Sequence, residues 1–188
     1  GRAPAGGRPE RLPELRRLLL IQSYFMGDVL LATPAIRAAR RAFPDARLEF
    51  LTLGPGVDAL AGNPHLDEVI RLERGGRAQL RLIRELRCRR YDAIIDFLSN
   101  PRTALLTALT GARYRIGIRA GGPRDLAYTA LVPRERGQVY MARQKVRLLG
   151  PLGIDPDSVT DLSLEIAIGA EERAWAAEVW DRTGLAAG

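Results

Sequence analysis

Cysteine, histidine and lysine occur once each in the 188 residues, as Cys88, His65 and Lys145. One cysteine excludes a disulfide framework and any multi-cysteine metal site, and it fits a reducing compartment such as the cytoplasm. One histidine excludes a histidine-rich metal cluster. No apolar run nears the roughly 18 to 20 residues that a membrane-spanning helix requires, the strongest being residues 18–21. Aromatics make up only 6% of the chain, and none interleaves with its most basic stretch, which ranks nucleic-acid binding last among the functions considered. Internal repeats are also absent.

What is present is ordinary for a globular chain: 46% hydrophobic and 27% charged residues, enough for one core, or one core with an appendage. The 29 basic residues against 22 acidic leave +7, which points to an anionic partner. All but Lys145 are arginine, and a coding bias would produce the same excess. Its placement is uneven, however. Arg71, Arg74, Arg77, Arg81, Arg84, Arg87, Arg89 and Arg90 face only Glu73 and Glu85 within residues 71–90, a local balance of +6.

Residues 1–14, rich in Arg, Gly, Pro and Ala without an apolar stretch, read as a flexible leader and not as a secretory signal. From there short apolar runs alternate with stretches at helical spacing, the pattern of βα units building a parallel sheet. The expected class is α/β, a Rossmann-like three-layer sandwich over residues 15–165. Strands are expected at 18–21, 47–53, 68–72, 92–97 and 114–118, and a short extended piece at 162–164. Helices are expected at 28–43, bent by Pro34, and at 57–61, 78–90, 101–110, 139–152 and 170–183. Residues 119–137 read as loop. Residues 166–188 read as a helix and linker leading to a further domain absent from the chain.

Ligands of open parallel sheets gather at the carboxyl ends of the strands, which directs attention to residues 22–28, after the first strand. A dinucleotide site would want several glycines here and a helix start free of negative charge. This loop has only Gly27, and Asp28 occupies the place of the phosphate, so a nucleotide phosphate is not expected there. Asp28 has two readings. It is a favoured N-cap residue, worth on the order of 1 kcal/mol to a helix, or it is a carboxylate kept ionised by the helix's positive end and available as a general base.

Residues 27–38, Gly-Asp-Val-Leu-Leu-Ala-Thr-Pro-Ala-Ile-Arg-Ala, lead into Phe43-Pro44-Asp45-Ala46 and resemble the opening of the lipopolysaccharide heptosyltransferases, glycosyltransferase family 9. Four further landmarks follow in order: residues 63–69, Asn-Pro-His-Leu-Asp-Glu-Val; residues 91–97 with 100–106; residues 115–118, Arg-Ile-Gly-Ile; and residues 148–154, Leu-Leu-Gly-Pro-Leu-Gly-Ile. The resemblance implies the amino-terminal, acceptor-side half of a two-domain transferase of the GT-B type. It carries the role of candidate base onto Asp28. It also implies an inverting transfer of a heptose-like sugar from an ADP-heptose-type donor to a lipopolysaccharide core or related glycan. The donor would be bound by the second half, without metal or other cofactor, and this chain alone would be inactive. Tyr24 and Phe25 depart from the small residues of the family and would narrow the crevice.

Acceptor contacts are expected from Ser23 and Gly27 in the first loop and from Asn100, Arg102, Arg119 and Arg124 after later strands. Arg74 and Arg77 flank two glycines and suit phosphorylated sugars, because Arg pairs with phosphate oxygens bidentately. Arg81, Arg84 and Arg87 read as a solvated helix face. Residues 120–123, Ala-Gly-Gly-Pro, read as a loop able to move over an acceptor. Asp155-Pro156-Asp157 resembles a metal-binding carboxylate pair but lacks the preceding apolar strand, and His65 and Cys88 read as structural. Trp175 and Trp180 are expected to cover apolar surface facing the second half. The expected partners are a phosphorylated glycan or glycolipid and a nucleotide-sugar, with a peripheral contact at the inner face of the cytoplasmic membrane. The alternative is a non-catalytic module that binds an anionic glycan or glycolipid through its arginine loops.

Overall fold

A computed structural model describes residues 14–23, 25–73, 75–135, 137 and 140–183. Nearly all of the expected leader lies outside the described residues, as do Tyr24 and Arg74. Six strands form one sheet: β1 (Arg17–Ile21), β2 (Arg47–Thr52), β3 (Glu68–Arg71), β4 (Ala93–Asp96), β5 (Tyr114–Ile118) and β6 (Ala130–Val132). Their order is β3-β2-β1-β4-β5-β6 and every pairing is parallel. The chain leaves β1 toward one edge and returns to its other side at β4, so β1 and β4 flank the switch point of the sheet.

A central parallel strand is covered on both faces, and Leu18, Leu19, Leu20 and Ile21 are accordingly fully buried. Leu18 and Leu20 pack with Leu48, Phe50, Ile95 and Ile116 on one face, beneath Ile36, Ala39, Val146 and Leu149. Leu19 and Ile21 pack with Leu51, Ile70 and Ile94 on the other, beneath Leu82, Leu86 and Leu106. Helices α2 (Thr33–Ala42) and α6 (Met141–Arg147) therefore cover one side. Helices α4 (Gly76–Cys88) and α5 (Pro101–Thr110) cover the other. The α/β three-layer sandwich expected from the sequence is the observed fold.

Local rules explain α5 well. Asn100 caps it, accepting from Thr103 N at 2.9 Å, and Gly111 closes it in the left-handed conformation that glycine adopts without strain. Elsewhere the elements differ from expectation. The single helix over 28–43 is two helices, α1 (Met26–Leu30) and α2, because a proline ring clashes with the carbonyl four residues earlier. Here that carbonyl is Leu30 O, which instead accepts from Thr33 Oγ1 at 2.7 Å. Pro34 sits in the first turn of the second helix; it does not bend one.

Residues 54–56, Gly-Pro-Gly, do end β2, but they also open α3 (Gly54–Ala59), with Pro55 in its first turn. The region expected as loop over 119–137 contains β6, an edge strand of 3 residues that is too short to show a period, and a 3-10 turn at Pro123–Ala127. Within residues 139–152 only α6 is α-helical; a 3-10 turn at Gly150–Leu152 follows it. Residues 162–164 belong to no strand. The last helix, α7 (Ala170–Thr183), has the expected bounds and buries none of its residues, and Trp175 and Trp180 stand exposed on it. Among the described residues no helix is long and apolar enough to cross a membrane.

Candidate functional site

Parallel register brings the strand ends to one level. Ile21 pairs with Leu51 on one side and Asp96 on the other, and the ladder continues through Gln22 N to Leu51 O at 3.1 Å and Phe97 N to Ile21 O at 3.0 Å. Gln22 and Ser23 thus leave the sheet beside the carboxyl end of β4, and both are buried. The chain then turns into α1, whose N-cap is Phe25 and whose third residue is Asp28.

Asp28 is therefore not the N-cap, and the capping reading of this residue is overturned. Its carboxylate lies in the first turn of a five-residue helix beyond the carboxyl end of β1, and the residue is half-buried. Phe25, expected to narrow that crevice, is 71% exposed.

Two buried ionisable groups sit behind Asp28, and sequence reasoning assigned a role to neither. Lys145 reaches from α6 into the carboxyl end of β1, 3% exposed, and its Nζ donates to Gln22 Oε1 at 2.9 Å. Burial pushes this ammonium down to about 8, against the opposing pull of the Asp28 and Asp96 carboxylates. The same Nζ lies 5.3 Å from the centroid of the Phe97 ring. Asp96, fully buried at the end of β4, accepts from Leu98 N, Ser99 N and Tyr128 Oη at 3.0, 2.9 and 2.7 Å. Burial raises its carboxyl above the ordinary Asp range despite these donors. The available sequence signal was the singularity of Lys145: lysine tolerates burial by shifting its pKa, whereas guanidinium stays charged.

The other expected acceptor residues follow the carboxyl ends of the strands and are engaged in different ways. Gly27 is exposed in α1, and a Cβ there would meet nothing within 4 Å among the described residues. Asn100 gives its side-chain oxygen to the start of α5. Arg102, in the first turn of α5, donates to Glu73 O at 2.8 Å, joining that helix to the loop after β3, while its buried Nε has no partner among the described residues. Arg77 is exposed in the first turn of α4, and Arg119 and Arg124 are exposed beyond β5. The loop at 120–123 is pinned: Asp125 accepts from Ala120 N and Gly121 N, each at 3.1 Å.

The basic stretch does not form one continuous patch. Arg81, Arg84 and Arg87 lie exposed along α4, as expected, whereas Arg89 is bound at the opposite, amino-terminal end of the sheet. It donates to both Glu68 carboxylate oxygens at 2.8 and 2.7 Å and to Glu85 at 2.6 Å, and it pairs with buried Glu49 at 3.1 Å. Arg47 and Tyr91 also bind Glu49. Burying a carboxylate in strand β2 is tolerable only with such compensation. His65 pairs with Glu165 at 3.2 Å, Asp155 accepts from Asp157 N, and Cys88 is exposed.

No family model matches the chain. It is 30% identical over 142 residues to lipopolysaccharide heptosyltransferase 3 of Escherichia coli, an alignment covering 70% of this chain and 41% of that protein. The crystal structure of the glycosyl transferase family 9 from Veillonella parvula superimposes with a TM-score of 0.80 at 23% identity, covering 92% of this chain and 51% of the other. Escherichia coli heptosyltransferase WaaC with ADP-2-deoxy-2-fluoro heptose gives a TM-score of 0.64 at 21% identity, covering 74% and 49%. The chain spans less than half the length of the curated relative and about half of each solved structure.

Proposed function

We propose, from the kinship of this chain with the glycosyltransferase family 9 heptosyltransferases, that it forms the acceptor-side half of an inverting sugar transferase of lipopolysaccharide or related glycan synthesis. The observation that carries this is the half-buried Asp28 carboxylate at the switch point of the sheet. The carboxylate at the carboxyl end of β4 is consumed by the fold: Asp96 is held by three donors.

Asp28 removes the proton from an acceptor hydroxyl as that oxygen attacks the anomeric carbon of the donor sugar. The bond to the nucleoside diphosphate breaks on the opposite face, and the diphosphate carries away the electron pair. A carboxylate beside the reacting hydroxyl supplies a base and repels the donor's phosphates, so the nucleotide-sugar is held by a counterpart of the remaining half of the relatives. Ser23 and Gly27 shape the acceptor crevice, and Arg77, Arg102, Arg119 and Arg124 attract its phosphate groups; Arg74 belongs with them by sequence position.

The test is transfer from ADP-heptose to a phosphorylated core glycan by the full-length translation product. Asp28→Asn and Asp28→Ala lower kcat by about 100- to 10,000-fold with an unchanged circular-dichroism spectrum. Full activity in both variants removes Asp28 from the chemistry.

A further inference from the structure

We propose that the outer face of helices α4 and α5 is a docking surface for a bilayer of anionic lipid, its leucines entering the interface and its arginines meeting the lipid phosphates. This goes beyond the proposed transfer reaction and stands apart from it. Both helices cover the same side of the sheet, and they pack against each other. Leu82 and Leu86 turn inward from α4 and Leu106 from α5, which fixes the side that each helix shows to the outside.

The two outward sides differ in chemistry. On α4, Leu80 is 64% exposed, and Arg81, Arg84 and Arg87 are exposed with it at helical spacing. The helix has one acidic residue, Glu85, whose carboxylate accepts from Arg89 at 2.6 Å. On α5, Leu105 and Leu109 are 52% and 38% exposed, and no charged residue follows Arg102 in that helix. Leu80 and Leu105 each stand in the second turn of helices that run in the same direction, because both return the chain between parallel strands. The 3-10 turn at Pro123–Ala127 packs against α5 and adds Leu126, 85% exposed.

Single surface leucines are ordinary, and arginines alone suit a solvated face. Their combination on adjacent helices is different. A nucleic acid would gain little from the leucines, and an apolar protein surface would leave the arginines without counter-charge. The interface of an anionic bilayer takes both: leucine side chains enter the acyl boundary, while guanidinium groups on their apolar stems reach the phosphates above it. The first turns of α4 and α5 follow the carboxyl ends of β3 and β4, which brings the bilayer beside the end of the sheet where Ser23 and Asp28 lie.

Sedimentation of the full-length translation product with vesicles decides it. Vesicles of mixed phosphatidylglycerol and phosphatidylcholine carry the wild-type protein down, vesicles of phosphatidylcholine alone do not, and rising salt weakens the association. Arg81→Gln, Arg84→Gln and Arg87→Gln together weaken it by about 100-fold, and Leu80→Gln, Leu105→Gln and Leu109→Gln together by about tenfold, with unchanged circular-dichroism spectra. Arg84→Gln alone weakens it about fivefold, whereas Arg41→Gln, exposed on α2 in the opposite layer, weakens it less than about twofold. Wild-type protein left in the supernatant, equal effects at Arg84 and Arg41, or a leucine set without effect overturns the proposal. A leucine set that turns a dimer into a monomer in sedimentation velocity, with vesicles unbound, gives the face to a second copy and also overturns it. Transfer to a soluble phosphorylated glycan is a separate readout: its absence with vesicle binding intact counts against the proposed function and leaves the docking surface standing.

Discussion

Tyr128 Oη donates to Asp96 Oδ2 at 2.7 Å, and the tyrosine ring reaches that carboxylate by lying across Gly117 of β5. A Cβ at Gly117 would sit 2.6 Å from the ring, so glycine is required there for packing, not for a special backbone angle. The 3-10 turn after β5, the end of β4 and the middle of β5 are thereby locked together at the rim of the crevice. Gly117→Ala is expected to destabilise the fold by about 1–3 kcal/mol through overpacking. Tyr128→Phe is expected to cost a similar amount by removing a donor to a buried carboxylate. Urea titrations of the two variants and their combination check this. The double variant loses less than the sum, because both changes disrupt one contact.

Lys145 also gives stability a defined pH dependence. Its folded pKa of about 8 lies below the roughly 10.4 of an unfolded chain, so the unfolded state binds more protons between these values. Stability attributable to this residue therefore rises as pH increases through that window, by an amount on the order of 3 kcal/mol. Lys145→Met is expected to be more stable than wild type at pH 7, with the gap closing toward pH 10. The raised phenols Tyr91 and Tyr128 contribute in the opposite sense, losing stability as the pH passes the ordinary phenol value, but both proteins share them and the difference cancels. Denaturation at pH 7, 8.5 and 10 measures the gap. A gap that does not change with pH contradicts the assignment.

Arg37 fastens the segment that follows the sheet. Its guanidinium donates to Asp161 O, Ser163 O and Glu165 Oε2 at 3.2, 3.2 and 3.3 Å and lies 2.9 Å from Asp161 Oδ2, while Glu165 N donates to Thr33 Oγ1 at 3.0 Å. Arg37→Ala is expected to cost about 2–3 kcal/mol, since a charged donor to several acceptors is lost. It should also accelerate hydrogen exchange at the Glu165 amide, leaving the amides of β1 protected.

The arginines should separate by position. Replacing Arg77, Arg119 and Arg124 together is expected to raise KM for a phosphorylated acceptor by tenfold or more and to flatten its salt dependence. Replacing Arg81, Arg84 and Arg87 together should change KM less than twofold. Equal effects of the two sets would mean that the acceptor is attracted by net charge alone.

Strand β1, helix α5 and helix α7 were legible from the chain because their signals are local: a buried apolar run, an Asn-Pro start with a glycine stop, and a helical stretch that precedes a glycine in the sequence. Strand β6 was not, since 3 half-buried residues at a sheet edge carry no period. The break at Leu31 was misread as a bend, although the clash of Pro34 with the Leu30 carbonyl requires one or the other. Asp28 left the capping position for another reason: the helix begins two residues earlier than expected, at Met26 with Phe25 as its N-cap.

Composition and local pattern were sufficient for the α/β class and for the positions of its main strands along the chain, because these depend on neighbours a few residues apart. Long-range packing settled the rest. It neutralised Arg89 against Glu49, Glu68 and Glu85, committed Asp96 to Tyr128, and brought Lys145 to Gln22 across 123 residues of sequence. The charge of a side chain can be read from its name. Whether that charge meets water, a partner or an open crevice depends on residues distant in the chain, and burial alone makes it strong enough to matter.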